Sequence, residues 1–409
     1  MPEIRPFPAV RYQMPDAELG RVLAPPYDVI PPAYAQALRE RHPRNVVRLI
    51  LNTTGDEAGY AAVGASYRAW LEEGTLAAEA KPALYLLEQT FAVDGAPFTR
   101  RGLIARFRAE EPNRGVILPH EHTRKAARDD RYRMLSATRA NFSPIFLLFP
   151  DTQARFAAHA KQIVQGAPLA RYTDDGQVTQ RLWRVSDAAT IAELTAHLAA
   201  VRAYIADGHH RHATALRRRD EMGADGAWTL GYFTPIEDPG LLVLPYHRIL
   251  RTAPDLAAVR ARLAAHFDLT STQDLDRLVR AVAASPAAYA FGLCAQSGEG
   301  LLAEARPSAA VLLPDDAPAC LRALDTFFIH RAVLAPLLGV ADEAIDYVHS
   351  LGEARQALTD GRAALALLLR PTPVRQIVAV ADARESMPAK STFFHPKLPS
   401  GLVIHPLVA

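Results

Sequence analysis

Cysteine is scarce in this chain: two residues in 409, Cys294 and Cys320, both in apolar company. That excludes a disulfide framework and a cysteine metal knuckle, and it fits a reducing, cytoplasmic setting. No run of eighteen apolar residues occurs, and the start Met-Pro-Glu-Ile-Arg-Pro-Phe-Pro lacks the basic and apolar segments of an export signal. The expectation is a protein neither exported nor in a membrane. One-sided charge is missing as well: 46 Lys and Arg against 44 Asp and Glu leave a net charge of +2. No global field is then available to hold a polyanion, and nucleic acid is not an expected partner. Internal repeats and low-complexity linkers are absent too. What remains is 49% hydrophobic and 22% charged residues, the balance of a soluble globular protein. The length suggests two or three domains.

Local signals then place elements. Residues 21–32 are punctuated by proline and read as an ordered loop, after which Pro31 and Pro32 open a helix to about 41. Residues 58–73 have helical spacing. Two β-rich runs, 82–92 and 98–108, flank Val93-Asp94-Gly95-Ala96, a hairpin signal. Residues 144–149 read as a buried strand, followed by helices over 152–164 and 188–199 and a strand near 180–185. Runs 227–234 and 241–249 look like paired strands. Beyond 251, helices over 254–266, 273–284, 323–337, 352–359 and 372–384 alternate with strands over 288–294, 344–348 and 362–369. The fold class expected is α/β or α+β, with mixed sheets and flanking helices. The expected segments are 1–110 (N-terminal α+β), 111–250 (central phosphate-site region) and 251–409 (C-terminal α/β), the last with a loop able to return to the site.

The most informative stretch is Tyr-Ile-Ala-Asp-Gly-His-His-Arg-His, residues 204–212, where an apolar strand ends in a glycine turn and a helix begins at about 210. Glycine there permits a tight bend, and the amides that follow carry the positive end of the helix dipole, a ready seat for phosphate. Arg211 adds a planar fork for phosphate oxygens, and His209 and His210 can carry protons near neutral pH. Asp207 could orient a histidine or hold magnesium. The plainer reading is that Asp207 caps the helix and the histidines are solvated; three histidines and an arginine within four positions weigh against it.

A second cluster is Leu-Pro-His-Glu-His-Thr-Arg-Lys, residues 118–125, ahead of a helix carrying Arg128. His120 and His122 share a face if extended, so they could join a third ligand on a metal, although the His-Glu-x-x-His pattern of zinc proteases is missing. Proton transfer by His120 with Glu121 is equally open. Asn141 and Ser143 either turn the backbone or face a ligand. Near the end, residues 387–401 hold Lys390, Ser391, Thr392, two adjacent phenylalanines and Lys397. Lysine beside Ser/Thr can clamp phosphate, while the Gly-rich lead of a Walker loop is absent; a loop whose aromatics plug the core is the alternative, with 401–407 adding an edge strand. Tyr246-His247-Arg248 and His330 read as structural.

Four stretches together resemble one prokaryotic family, the domain of unknown function 1015. They are Ala24-Pro25-Pro26-Tyr27-Asp28-Val29-Ile30, Pro119-His120-Glu121 with Asn141 to Phe146, Ile205 to Arg211, and Lys390 to Lys397. The portion Gly208, His210, Arg211, Thr214 is similar to the phosphate-binding loop of the ParB/sulfiredoxin-like superfamily, which includes free serine kinases. This chain departs from the ParB group in lacking a helix-turn-helix DNA reader and in having two histidines where one is usual. The resemblance, with its association to serine biosynthesis, implies an enzyme on a small phosphorylated metabolite: phosphoserine hydrolysis or a related serine phosphoryl transfer.

In that scheme Gly208, Arg211, Thr214, Arg128, Asn141, Lys390 and Lys397 hold phosphate. His209, His210, Asp207, His120 and Glu121 carry the chemistry. Magnesium is expected if a nucleotide takes part, and no other cofactor is implied. Alternatives are a nucleotide-binding regulatory module without turnover and a metal-dependent hydrolase using His120, His122 and His209. The sequence is silent on oligomeric state.

Overall fold

The computed structural model describes residues 2–407. It divides into two compact units, each discontinuous in sequence: one of residues up to 119 with 123–242 and 396 onward, the other of 120–122 with 243–395. The second takes in 120–122, where Met387 N–H donates to His120 O at 2.8 Å, and for the first the physical reason is the tail. Residues 396–407 leave the second unit's chain and add to the first, with Ser400 N–H donating to Ala24 O (2.8 Å), Gly401 N–H to Phe142 O (2.8 Å) and Leu407 N–H to Arg139 O (2.8 Å).

The first unit is built on a nine-stranded mixed sheet. Its strand order is Ile117–Leu118, Ala203–Asp207, Ile145–Phe149, Trp228–Pro235, Ala96–Arg108, Leu84–Val93, Thr179–Val185, Ala170–Thr173, with Ile4–Arg5 joining the Ala96–Arg108 strand. Trp228–Pro235 runs parallel to Ile145–Phe149, and Ala203–Asp207 parallel to Ile117–Leu118; the other ladders are antiparallel. The hairpin expected at Asp94-Gly95 is present, with both residues at positive φ (52° and 79°), as a tight two-residue turn requires. One sheet face closes over a core that includes Leu84, Leu103, Phe107, Leu147, Phe149, Ile205 and Phe233, sealed by the helices Arg155–Ile163 and Ala188–Leu198 through Phe156, Ala160, Leu194 and Leu198.

The second unit has a six-stranded antiparallel sheet ordered Phe267–Thr272, Gly300–Ala305, Ala290–Ala295, Leu365–Leu369, His247–Leu250, Ile345–Val348. Leu278, Val282, Ala354, Ala357 and Leu358 from two helices pack on Ile249, Ala366 and Leu368. Two strands here escape the sequence reading. Phe-Asp-Leu-Thr-Ser-Thr and Gly-Leu-Leu-Ala-Glu-Ala are short and carry polar or small residues, so their alternation is weak.

The mixed α/β architecture is as expected, with three local differences. The runs 227–234 and 241–249 are not paired strands: Trp228–Pro235 has both edges occupied by its own sheet, and His247–Leu250 pairs with Ile345–Val348 and Leu365–Leu369. The helix expected over 323–337 breaks into Asp325–Phe328 and a wider π-helical stretch Ile329–Leu338 containing Pro336, which has no N–H to give the ladder. The edge strand expected over 401–407 shrinks to His405–Pro406, paired with Ala140–Asn141. Among the described residues no helix is long and apolar enough to cross a membrane.

Candidate functional site

The Ala203–Asp207 strand is buried through Ala206 and delivers Asp207 at its end; Gly208 then turns with φ 97°, and the helix His209–Met222 starts at once. Gly208 at the N-cap gives that helix no side-chain cap hydrogen bond, so the positive end of the dipole lies at the turn. A Cβ at 208 would sit 3.0 Å from the Arg211 guanidinium carbon, because Arg211 folds back over the glycine.

Asp207 is the hub. Its Oδ2 accepts from Arg211 Nη2 at 2.5 Å and its Oδ1 from Lys397 Nζ at 2.7 Å. Burial alone would push this carboxyl up; the Lys397 ammonium, the Arg211 guanidinium, the Lys397 hydrogen bond and nearby His209 outweigh it and hold the group well below the ordinary carboxylate range. Arg211 also donates through Nη1 to Pro144 O. Two cations are thereby fixed around one anion, leaving a net positive group at the glycine turn.

The lysine arrives from the tail, and a residue not anticipated from sequence anchors it. Arg100 is fully buried in the long Ala96–Arg108 strand, with Nη2 donating to Pro396 O (2.6 Å) and to Gln89 Oε1. Its guanidinium lies 4.6 Å from the Phe146 ring centroid, and Gln89 Nε2 donates to Lys397 O at 3.3 Å. The available signal was strand alternation: Arg100 and Arg101 are adjacent, so one of them must face inward.

The histidines of the turn divide by environment. His210 is half-buried, and its Nε2 accepts from Arg124 N–H at 3.0 Å, which assigns the ring proton to Nδ1. Burial lowers its pKa; Asp28 opposes this, and Arg124, Arg128 and Arg211 add to it, so the ring is neutral at pH 7. His209 is buried and close enough to Asp207 to help keep it ionised. His212 is buried, stacked on Phe107 and depressed to about 4 by burial and Arg219, a structural residue. Thr214 is buried and gives its hydroxyl proton to His210 O at 2.8 Å. Arg128 is exposed on the helix Lys125–Thr138.

Behind the turn lies a cavity of about 60 Å³ lined in part by Tyr27, Arg131, Asn141, Arg211 and Thr214. Arg131 is fully engaged there: it bonds Asp130 and Ile50 O, and its guanidinium covers Tyr27 at 3.8 Å. Burial, with Asp28, raises the Tyr27 hydroxyl to about 12 against the opposing Arg131 and Arg211 charges.

The structure therefore brings together Asp207, Gly208, His209, His210, Arg211, Thr214, Asn141 and Lys397 within the first unit. His120, Glu121 and Lys390 belong to the second unit. There His120 is buried with Nε2 3.3 Å from Thr392 Oγ1, and Lys390 is exposed with its ammonium 5.1 Å from the Tyr246 ring centroid. Among the described residues no three His, Cys, Asp or Glu side chains are grouped to hold a metal ion, so the His120, His122, His209 set has no such cluster behind it.

A family model described as "Protein of unknown function (DUF1015)" matches residues 4–327. The chain belongs to this family. The DUF1015 match spans the Gly208 turn and ends before Lys397; it says nothing of a ParB-like loop, and the turn stands on its own geometry. No curated protein matches the sequence. Solved structures similar to this DUF1015 chain include a conserved hypothetical protein from Pyrococcus furiosus, at 12% identity and TM-score 0.36 over 72% of this chain and 94% of that one. A free serine kinase in complex with AMP is similar at 12% identity and TM-score 0.34, over 68% of this chain and 83% of that one. SbnI with a C-terminal truncation, from Staphylococcus aureus, is similar at 12% and 0.36, over 74% and 87%.

Proposed function

We propose that the chain binds the phosphate of a small phosphorylated metabolite at the Gly208 turn and acts on its phosphoryl group, with phosphoserine hydrolysis or serine phosphoryl transfer as the reaction. The observation that carries this reading is the pair of cations, Lys397 and Arg211, pinned by Asp207 beside an uncapped, glycine-led helix start. Amides, ammonium and guanidinium would spread the charge of a transferring phosphoryl group, the task on which catalysis of this class rests. Asp207 acts through the cations it positions; held ionised, it is a poor base at neutral pH. His210, neutral and protonated on Nδ1, would give a hydrogen bond from Nδ1–H to a phosphate oxygen. This reading gives His120, Glu121 and Lys390 no step.

The residues of the turn do not make a magnesium site, because Asp207 spends both oxygens on cations. A nucleotide substrate would bring the ion on its own phosphates.

The test is phosphate release from phosphoserine, run beside serine-dependent ADP formation from ATP. Wild type is expected to turn over one of the two, and Lys397→Met to lose about 100-fold or more, as for removal of one charge-stabilising donor. A full-rate Lys397→Met would contradict the proposal. One observation favours a second reading, a nucleotide-binding regulatory module without turnover: at the turn Asp207 and His210 Nε2 are both already engaged, which leaves no open base among them. Saturable AMP or ADP binding with no product from either assay would select it.

A further inference from the structure

The proline-punctuated loop near the start of the chain carries a carboxylate that the reading of the turn leaves unused. Tyr27–Val29 is one tight helical turn, with Pro25 and Pro26 before it and Pro31 and Pro32 after it, and proline fixes φ at each of those positions. The loop is fastened to the segment that brings Lys397: Ala24 O accepts from Ser400 N–H at 2.8 Å and Pro25 O from Ser400 Oγ at 3.3 Å. Tyr27, under the Arg131 guanidinium at 3.8 Å, lines the cavity behind the turn together with Arg211 and Thr214. Backbone and ring contacts therefore hold the neighbouring Asp28 near the Gly208 turn.

Asp28 is exposed and caps no helix, and among the described residues its carboxylate forms no hydrogen bond or ion pair. Burial lowers the His210 pKa and Asp28 opposes it, so the carboxylate lies within electrostatic reach of that ring. Beside a seat for phosphate, a charge of the ligand's own sign weakens binding. Neither packing nor affinity accounts for an acid there. Chemistry does, because the groups at the turn lack an open base: Asp207 is tied to two cations and His210 Nε2 to Arg124 N–H.

We propose that Asp28 is the general base of the phosphoryl step. The attacking O–H, of water in hydrolysis or of serine in transfer, gives its proton to the Asp28 carboxylate. Its oxygen forms the new bond to phosphorus, and the bond from phosphorus to the leaving oxygen breaks with the electron pair staying on that oxygen. In hydrolysis the departing serine oxygen takes a proton from solvent; in transfer the leaving group departs as a phosphate anion. Asp28, being exposed, returns its proton to water in either case. The proposal rests on the phosphate reading for where the phosphorus sits.

The experiment measures phosphate release from O-phosphoserine and serine-dependent ADP formation from ATP by the full chain, in wild type, Asp28→Asn and Lys397→Met, with calorimetry of inorganic phosphate on each. In the reaction that wild type turns over, Asp28→Asn is expected to lower kcat by about 100-fold or more, the contribution of a positioned base, with KM within about threefold. Its affinity for inorganic phosphate should equal or exceed that of wild type, because the charge removed has the ligand's sign. A kcat within about threefold of wild type, a KM that rises at unchanged kcat, as for an acid that only seats an ammonium, or weaker phosphate binding in Asp28→Asn overturns the assignment. Wild type that binds phosphate and turns over neither substrate overturns it too and leaves the phosphate reading standing. A full-rate Lys397→Met beside a slow Asp28→Asn removes the phosphate reading and keeps the base, and a wild type with neither binding nor turnover removes both.

Discussion

At the scale of single residues, charge and burial set the behaviour. Asp207 has a folded pKa below the unfolded carboxylate value of about 3.9. Its ion pairs therefore stabilise the fold above that pH, and the contribution is lost as pH falls through the depressed folded value. Asp207→Asn should lower stability at pH 7 by about 2 kcal/mol, less than for a fully buried pair because the side chain keeps 15% exposure. It should also flatten the acid limb of the stability curve below about pH 4, as urea unfolding across pH would show. His405 moves stability with pH in the same direction from a different cause, the burial of a neutral ring. Buried among Phe7, Arg106 and Arg218 with neither ring nitrogen bonded, it is depressed to about 3 by burial first and the two arginines second. The unfolded chain takes up a proton near 6.5 and the folded chain does not, so stability declines as pH falls from about 6.5 towards 3. His405→Leu should reduce the loss in urea midpoint between pH 7 and pH 5; an unchanged loss would show that His405 does not set it.

At the scale of elements, the strand, turn and helix at 203–222 were legible in the sequence, because an apolar run ending in Asp-Gly ahead of helix formers carries both period and punctuation. The closeness of Arg211 to Gly208 was not legible. Gly208→Ala places a Cβ at a left-handed φ and 3.0 Å from Arg211, so it should cost about 1–2 kcal/mol and displace the guanidinium from Asp207. Its phosphate affinity should fall with its melting temperature, whereas a change in stability alone would separate the turn from binding. Arg100 shows what local pattern misses. Its inward position follows from strand alternation, but its partner Pro396 O lies 296 residues away. Arg100→Met leaves Pro396 O and Gln89 Oε1 without their donor, and weaker phosphate binding is expected although Arg100 touches no ligand. Calorimetry with inorganic phosphate checks this, and wild-type affinity in that variant would remove Arg100 from the account.

At the scale of the whole molecule, the return of the tail was visible only as an option, since nothing local in Lys397-Leu398-Pro399-Ser400 states which strand it meets. The ion pair between Asp207 and Lys397, 190 residues apart, is a product of topology. So are the orders of both sheets, which no periodicity encodes. The tail buries Leu398, Leu402, Val403, Ile404 and Leu407. At about 1.5–3 kcal/mol per buried side chain their loss approaches or exceeds the roughly 5–15 kcal/mol by which a protein is folded. A chain ending at His395 should therefore lose the first unit. Trp70, Trp183 and Trp228 all lie in that unit, so their emission reports it alone. The truncated chain is expected to show unfolded tryptophan emission in buffer, and a cooperative urea transition at the wild-type midpoint would refute this.

The central claim is that Lys397 and Arg211, fixed by Asp207 at the Gly208 turn, hold a phosphate. Titration of phosphoserine and inorganic phosphate into wild type and Lys397→Met tests it most directly. Saturable binding in wild type, weakened at least about tenfold in the variant, is the predicted result; binding of equal strength in both, or none in wild type, would contradict it.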